Sequence, residues 1–146
     1  MATTRRAEVT WTGDLPKGSG VVTAASSQLF KDAPVSWVAR TEASGGKTSP
    51  EELLAAAHAS CFSMAFAAGL GRAGTPPTKL QVAAVVTFDK KGEGWGVTKS
   101  ELEVTGTVPG LDAAGFQKAA EAAKEGCPIS QALKNNVALS VTAKLA

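Results

Sequence analysis

Apolar and polar residues alternate in Glu8-Val-Thr-Trp-Thr-Gly13 and again in Pro34-Val-Ser-Trp-Val-Ala-Arg40, and between them Gly20-Val-Val-Thr-Ala-Ala25 is rich in β-branched residues. A period of two sends successive side chains to opposite faces of a strand, and glycine and proline fill the gaps. The pattern therefore predicts a three-stranded antiparallel opening. After a loop over residues 42–49 the pattern changes. Ser49 fits a helix N-cap, Pro50 the first helical position, and Glu52 the third, where its carboxylate can bond back to the Ser49 amide. From there to about Gly71 nearly every position is Ala, Leu, Phe or Met, until the glycines and Pro76-Pro77 stop the helix. A helix that is apolar all round has to be covered on every side. One sheet covers only one side, so a second copy of the chain is expected to cover the rest.

Leu80–Phe88 and Val97–Val108 flank a turn-rich stretch and predict a long β-hairpin. Asp112 then caps a helix to about Lys124, Pro128 opens a short helix to about Lys134, and Val137–Leu145 alternates as a last strand. The order βββ-α-ββ-αα-β is α+β, in a single domain over residues 1–146.

Composition narrows the function. A chain of 146 residues that is 44% hydrophobic can bury roughly two thirds of its unfolded surface in one core. With 15 Lys and Arg against 13 Asp and Glu, and no basic run longer than Arg5-Arg6 or Lys90-Lys91, nothing suggests a nucleic acid or membrane surface as partner. Leu53–Leu70 approaches membrane-spanning length, but it carries His58, Ser60 and Ser63 and leans on alanine, so it reads as a core helix. The first residues lack the apolar stretch of a secretory signal, which predicts a cytoplasmic protein. In a reducing cytosol the two cysteines suggest catalysis, redox sensing or core filling before a permanent disulfide.

Cys61 lies about twelve residues into the long helix, beyond reach of the N-terminal dipole, and burial alone would raise its pKa and leave it inert. A reactive Cys61 needs a cation, for which Arg40 and Arg72 are candidates. Arg40 ends an apolar strand and, partly desolvated there, requires a carboxylate. Glu51 is the freer one, because Glu52 has the capping duty. Glu51 and Cys61 stand ten residues apart on one helix, or about 15 Å along its axis, so they cannot touch within one chain. A two-fold dimer with antiparallel central helices would bring Arg40 and Glu51 of one subunit to Cys61 of the other. Cys127, between Gly126 and Pro128, fits a helix N-cap near an exposed corner and suits a resolving thiol, one that condenses with a sulfenic acid.

Plainer readings stand beside these. Cys61 can simply pack, Cys127 can cap, Arg40 can be a surface charge, Glu51 can complement the helix dipole, and His58 can be a satisfied core histidine and no partner of Cys61. A zinc site of Cys61, Cys127 and His58 lacks a fourth protein ligand.

Thr48-Ser-Pro-Glu-Glu-Leu-Leu-Ala-Ala-Ala-His-Ala-Ser-Cys-Phe-Ser-Met-Ala65, together with Gly126-Cys-Pro-Ile-Ser-Gln-Ala-Leu133, closely resembles the osmotically inducible protein C / organic hydroperoxide resistance family. The likeness extends over essentially the whole chain. Ala55-Ala-Ala-His58-Ala-Ser-Cys61 looks like the osmotically inducible protein C branch; the other branch tends to carry an aromatic at the histidine position, which argues against an essential catalytic role for His58. The resemblance implies an intertwined homodimer whose antiparallel sheets wrap around central helices. It implies a cytoplasmic, cysteine-based peroxidase that reduces organic hydroperoxides under oxidative or osmotic stress. By the same resemblance Cys61 is the peroxidatic cysteine, Cys127 resolves it, Arg40 stabilises the thiolate and Glu51 holds Arg40. Phe62, Phe66 and Leu53 are expected to wall an apolar substrate pocket. The implied reductant is an external dithiol, commonly a lipoyl group on a protein, with no bound cofactor or metal. The competing reading is a non-enzymatic stress-response binding protein that keeps the fold and uses its cysteines for packing. A protein disulfide oxidoreductase is disfavoured because no Cys-x-x-Cys motif exists.

Overall fold

The two alternating runs near the start of the chain have different fates. In the computed structural model, which describes residues 1–146, the first becomes β1 (Glu8–Thr12) and the β-branched run becomes β2 (Ser19–Thr23), but the third is a strand only over β3 (Ala33–Val35) and then turns into helix α1 (Trp37–Thr41). The cause is Ser36. Its extended backbone and side-chain oxygen cap the helix, accepting from the Ala39 amide at 3.2 Å, and a satisfied cap outweighs a weak alternation over the seven residues Pro34–Arg40. The expected strand to Arg40 is thus corrected to a three-residue strand and a five-residue helix.

The remaining elements are α2 (Pro50–Arg72), β4 (Lys79–Lys91), β5 (Gly94–Thr107), α3 (Ala113–Gly126), α4 (Pro128–Leu133) and β6 (Ala138–Leu145). The fold is α+β, with two three-stranded sheets and four helices. The chain divides into two compact units, Met1–Leu53 and Leu54–Ala146.

In the first unit the strands pair antiparallel in the order β1-β2-β3. Gly20 sits opposite Trp11 and Val35; a Cβ there would lie 2.9 Å from the Trp11 ring and 3.0 Å from Val35, so glycine lets the indole lie across the sheet. The Thr48 amide donates to the Pro34 carbonyl at 3.0 Å, which brings the loop back beside β3 just before α2 starts. Ser49 caps that start, its hydroxyl accepting from the Glu52 amide at 3.1 Å, while the Glu52 side chain stays exposed.

The second unit is built on α2. His58, Phe62, Phe66 and Leu70, four residues apart, form one buried stripe. Phe66 bridges Phe62 and Phe116, with ring centroids 5.4 and 5.1 Å apart, and Leu102, Val104 and Val141 close the core from the sheet side. By length and apolar composition α2 could cross a membrane, yet this stripe is the centre of a packed core. The helix is not covered on every side within one chain: Met64, for instance, is 71% exposed.

β4 and β5 form the expected hairpin, closed by Gly92 at φ 62°, a conformation glycine adopts without steric cost. β6 departs from the expected antiparallel pairing and runs parallel to β5. Two helices separate those strands, and a helical crossover returns the chain to the end from which it left. Gly106 on β5 lets α3 approach, since a Cβ there would come 2.5 Å from the Phe116 ring. Asp112 caps α3 as expected, accepting from the Gly115 amide at 2.7 Å.

Candidate active site

The second unit brings the two cysteines together. The Cys127 thiol lies close enough to Cys61 to perturb its ionisation, and neither is in a disulfide. Their burial is the reverse of the expectation. Cys61 on α2 is partly exposed, whereas Cys127 is wholly buried. Cys127 is not at an exposed corner, because it joins α3 to α4 and packs in the same core cluster as Phe116 and Ala123. It does occupy the N-cap position of α4, but its side chain makes no capping bond.

Burial pushes the Cys61 thiol above its ordinary pKa, and the neighbouring Cys127 adds to the rise. The backbone amide of Ile129 donates to Cys61 and opposes both. Pro128 has no N–H, so Ile129 carries the first amide of α4. Sequence reasoning credited this helix start to Cys127; its amide serves Cys61. The net push is still towards the neutral thiol. A reactive thiolate here needs a further positive group. Arg72 ends α2 eleven residues beyond Cys61 and is exposed.

His58 is fully buried one turn before Cys61. Its Nδ1 lies 2.6 Å from Ser100 Oγ on β5 and its Nε2 2.8 Å from Ser130 Oγ on α4. Burial lowers its pKa, which keeps the imidazole neutral, one ring nitrogen donating and the other accepting. With both nitrogens taken by serines, neither is available to Cys61. His58 is the satisfied core histidine that the plainer reading describes. Ser100 and Ser130 carry no signal in the sequence that marks them as its partners. No group of three or more His, Cys, Asp and Glu side chains is placed to hold a metal ion.

The first unit brings Arg40 and Glu51 together. Arg40 Nη2 donates to Glu51 Oε1 at 2.8 Å, and Nε donates to Oε1 and Oε2 at 3.1 and 3.2 Å. This planar fork on a carboxylate is what arginine offers and lysine does not. Glu51 is 8% exposed. Arg40 stands in the last turn of α1, not at a strand end, and its guanidinium carbon lies 6.0 Å from the Trp37 ring. The same unit holds an apolar hollow of about 440 Å³, lined among others by Val9, Trp11, Trp37, Arg40 and Leu53. Leu53, one of the three residues expected to wall a substrate pocket, lines this hollow. Phe62 and Phe66 do not line it, being 0% and 1% exposed in the core of the second unit.

Residues 43–142, more than half of the chain, match the sequence model of a family described as OsmC-like protein. The chain belongs to the OsmC-like protein family. Peroxiredoxin OsmC of Escherichia coli (strain K12) is 40% identical to this OsmC-like protein over 144 residues, 99% of each chain. The organic hydroperoxide resistance protein of Xanthomonas axonopodis pv. citri (strain 306) is 32% identical over 126 residues, 82% of this chain and 83% of the other. Among solved structures, the organic hydroperoxide resistance protein OhrB of Bacillus subtilis superposes with a TM-score of 0.74 at 26% identity, covering 95% of this chain and 98% of the other. The OsmC-like fold is also shared with a Mycoplasma pneumoniae protein, TM-score 0.74 at 13% identity, covering 100% and 99%.

Proposed function

We propose that this OsmC-like protein is a thiol peroxidase that reduces organic hydroperoxides. The observation that carries the reading is the contact between Cys61 and Cys127, with Cys61 as the more exposed of the two. The names of the relatives, a peroxiredoxin and a hydroperoxide resistance protein, support it. In the first step the Cys61 thiolate attacks the outer oxygen of R–O–OH. The O–O bond breaks, the alkoxide takes up a proton and leaves as R–OH, and Cys61 becomes a sulfenic acid. In the second, Cys127 attacks the Cys61 sulfur, a disulfide forms and water leaves. An external dithiol, such as a lipoyl group on a protein, then exchanges with that disulfide, restoring both thiols and becoming a disulfide itself. No bound cofactor or metal enters the cycle.

Because the second unit by itself leaves Cys61 protonated, the thiolate requires a cation. Arg40, oriented by Glu51, is the proposed source. Glu51 and Cys61 are too far apart along α2 to meet in one chain, so the proposal places Arg40 and Glu51 of one subunit at Cys61 of a second in a homodimer. The apolar face that α2 leaves exposed around Met64 supports such a partner. The two compact units then act as a single domain per subunit, in the cytoplasm. The apolar hollow beside Arg40 suits alkyl or fatty-acid peroxides over hydrogen peroxide.

Complete burial of Cys127 favours one competing reading, a non-enzymatic stress-response binding protein whose cysteines only fill space. Single-turnover reaction of the reduced protein with cumene hydroperoxide separates the two. Consumption of one equivalent, loss of consumption in Cys61→Ser and accumulation of a sulfenic acid in Cys127→Ser are expected; no consumption by the unsubstituted protein would leave the binding reading standing.

A further inference from the structure

The peroxidase cycle assigns no task to His58, although it is the one histidine in the chain and is wholly buried beside Cys61. We infer that His58 is a positioning residue for the resolving step. Through Ser130 it fixes the first turn of α4 against α2, and so holds Cys127 where it can attack the Cys61 sulfenic acid. The inference rests on the peroxidase reading given above.

The geometry is that of a two-rung ladder. His58 and Cys61 stand one turn apart on α2, and Cys127 and Ser130 stand one turn apart at the start of α4. One rung is the bond from His58 Nε2 to Ser130 Oγ at 2.8 Å, and the other is the contact between the two thiols. Ser100 holds the opposite ring nitrogen at 2.6 Å, which stops the imidazole from turning. All three polar side chains are 0–2% exposed, and a bond so shielded from water is not readily exchanged for one to solvent.

α4 needs such a fastening. It is six residues long, too short for helix propensity to hold it. Its one fully buried residue is Ser130, while Ile129 packs against the core only partly buried, so the deepest contact of the element is made by a polar side chain. Its other side-chain tie, Gln131 Nε2 to the Glu125 carbonyl at 3.3 Å, is exposed and leads to α3, not to α2. Disulfide formation tolerates only a narrow range of Cα separations and dihedral angles, so a small drift of α4 misplaces the attacking sulfur even when the fold is intact. The step itself balances as Cys61–SOH plus Cys127–SH giving the disulfide and water.

The test is a single turnover of the reduced protein with one equivalent of cumene hydroperoxide. Disulfide formation is followed by quenched mass spectrometry and the sulfenic acid by dimedone trapping, with thermal stability measured for every variant. In Ser130→Ala and His58→Leu, disulfide formation is expected to slow roughly ten- to a hundredfold and the trapped fraction to rise. His58→Gln, whose amide can still reach Ser130, should recover part of the rate, and the double variant His58→Leu with Ser130→Ala should be no slower than the slower single one. Ser100→Ala, which leaves the link to α4 in place, should slow the step less than Ser130→Ala. Resolution at the unsubstituted rate in both Ser130→Ala and His58→Leu overturns the inference. So does a loss of rate that merely follows the loss of thermal stability across the set. If His58→Leu does not fold, Ser130→Ala decides alone. Should the unsubstituted protein form neither sulfenic acid nor disulfide, the peroxidase reading itself has failed, a result distinct from the others.

Discussion

Replacing Glu51 by glutamine is the sharpest perturbation of the first unit, because it keeps the shape of the side chain and removes the charge that faces Arg40. The guanidinium makes three contacts of 2.8–3.2 Å with the carboxylate, and the two side chains are 29% and 10% exposed. Breaking one partner of a fully buried pair costs about 3–5 kcal/mol, whereas an exposed pair contributes less than about 1 kcal/mol. With the carboxylate shielded and the guanidinium nearly a third open to water, about 2 kcal/mol is expected, a thirtyfold change in the folding equilibrium. Urea unfolding at fixed protein concentration measures it. A double-mutant cycle with Arg40→Met should return a coupling energy of about 2 kcal/mol, since paired charges in direct contact are not additive. The proposed chemistry adds a second readout. Once Arg40 is no longer held, the Cys61 thiolate loses its counter-charge, so the pH midpoint for its alkylation should rise and kcat/KM for cumene hydroperoxide should fall by roughly tenfold or more. A coupling energy below about 0.5 kcal/mol together with an unchanged alkylation profile would refute both the energetic and the catalytic reasoning.

Two further outcomes follow from the same structure. Burial lowers the His58 pKa below its ordinary 6.5, so below about pH 6.5 the unfolded chain binds a proton that the folded one refuses; stability then rises with pH through that window and is lost as pH falls through it. His58→Gln should flatten the slope of unfolding free energy against pH below about pH 6.5 relative to the unsubstituted protein, and parallel slopes would contradict a buried neutral imidazole. If the site is shared between subunits, an equal mixture of Arg40→Ala and Cys61→Ser chains, each inactive alone, should recover about a quarter of full peroxidase activity, because half the dimers are mixed and each has one complete site. No recovery after verified subunit exchange would place Arg40 and Cys61 of the same chain together, or Arg40 outside the site.

The fold was legible where local signals agree. Ser49 with Pro50, and Asp112 ahead of α3, mark helix starts that are observed with their capping bonds, and the two long β-rich runs on either side of Gly92 form the hairpin they suggest. Legibility ended where a local signal was weak or the pairing was set from far away. Pro34–Arg40 alternates, but Ser36 offers a cap, and nothing in seven residues decides between the two. The direction of β6 is a property of the two-helix crossover, not of its own alternation.

For the candidate site the sequence disclosed the groups and not their depth. Cys61, Cys127, Arg40 and Glu51 were all identifiable by type and spacing, and the structure sets the first two against each other and the last two against each other. Burial was misjudged because it depends on which elements close over a residue. Cys61 sits in an apolar run, yet only the stripe through His58, Phe62, Phe66 and Leu70 is fully buried in the second unit, and Cys61 falls beside it, partly buried against the core. Cys127 has turn-forming neighbours in sequence, but in space it has Phe116 and Ala123. His58 shows the limit most clearly: its partners are 42 and 72 residues away, and serine is too common a residue for either position to stand out. An unpaired buried imidazole is costly, so the sequence already required partners for His58. What it could not disclose is that one of them stands a single turn after Cys127, on the helix whose first amide serves Cys61.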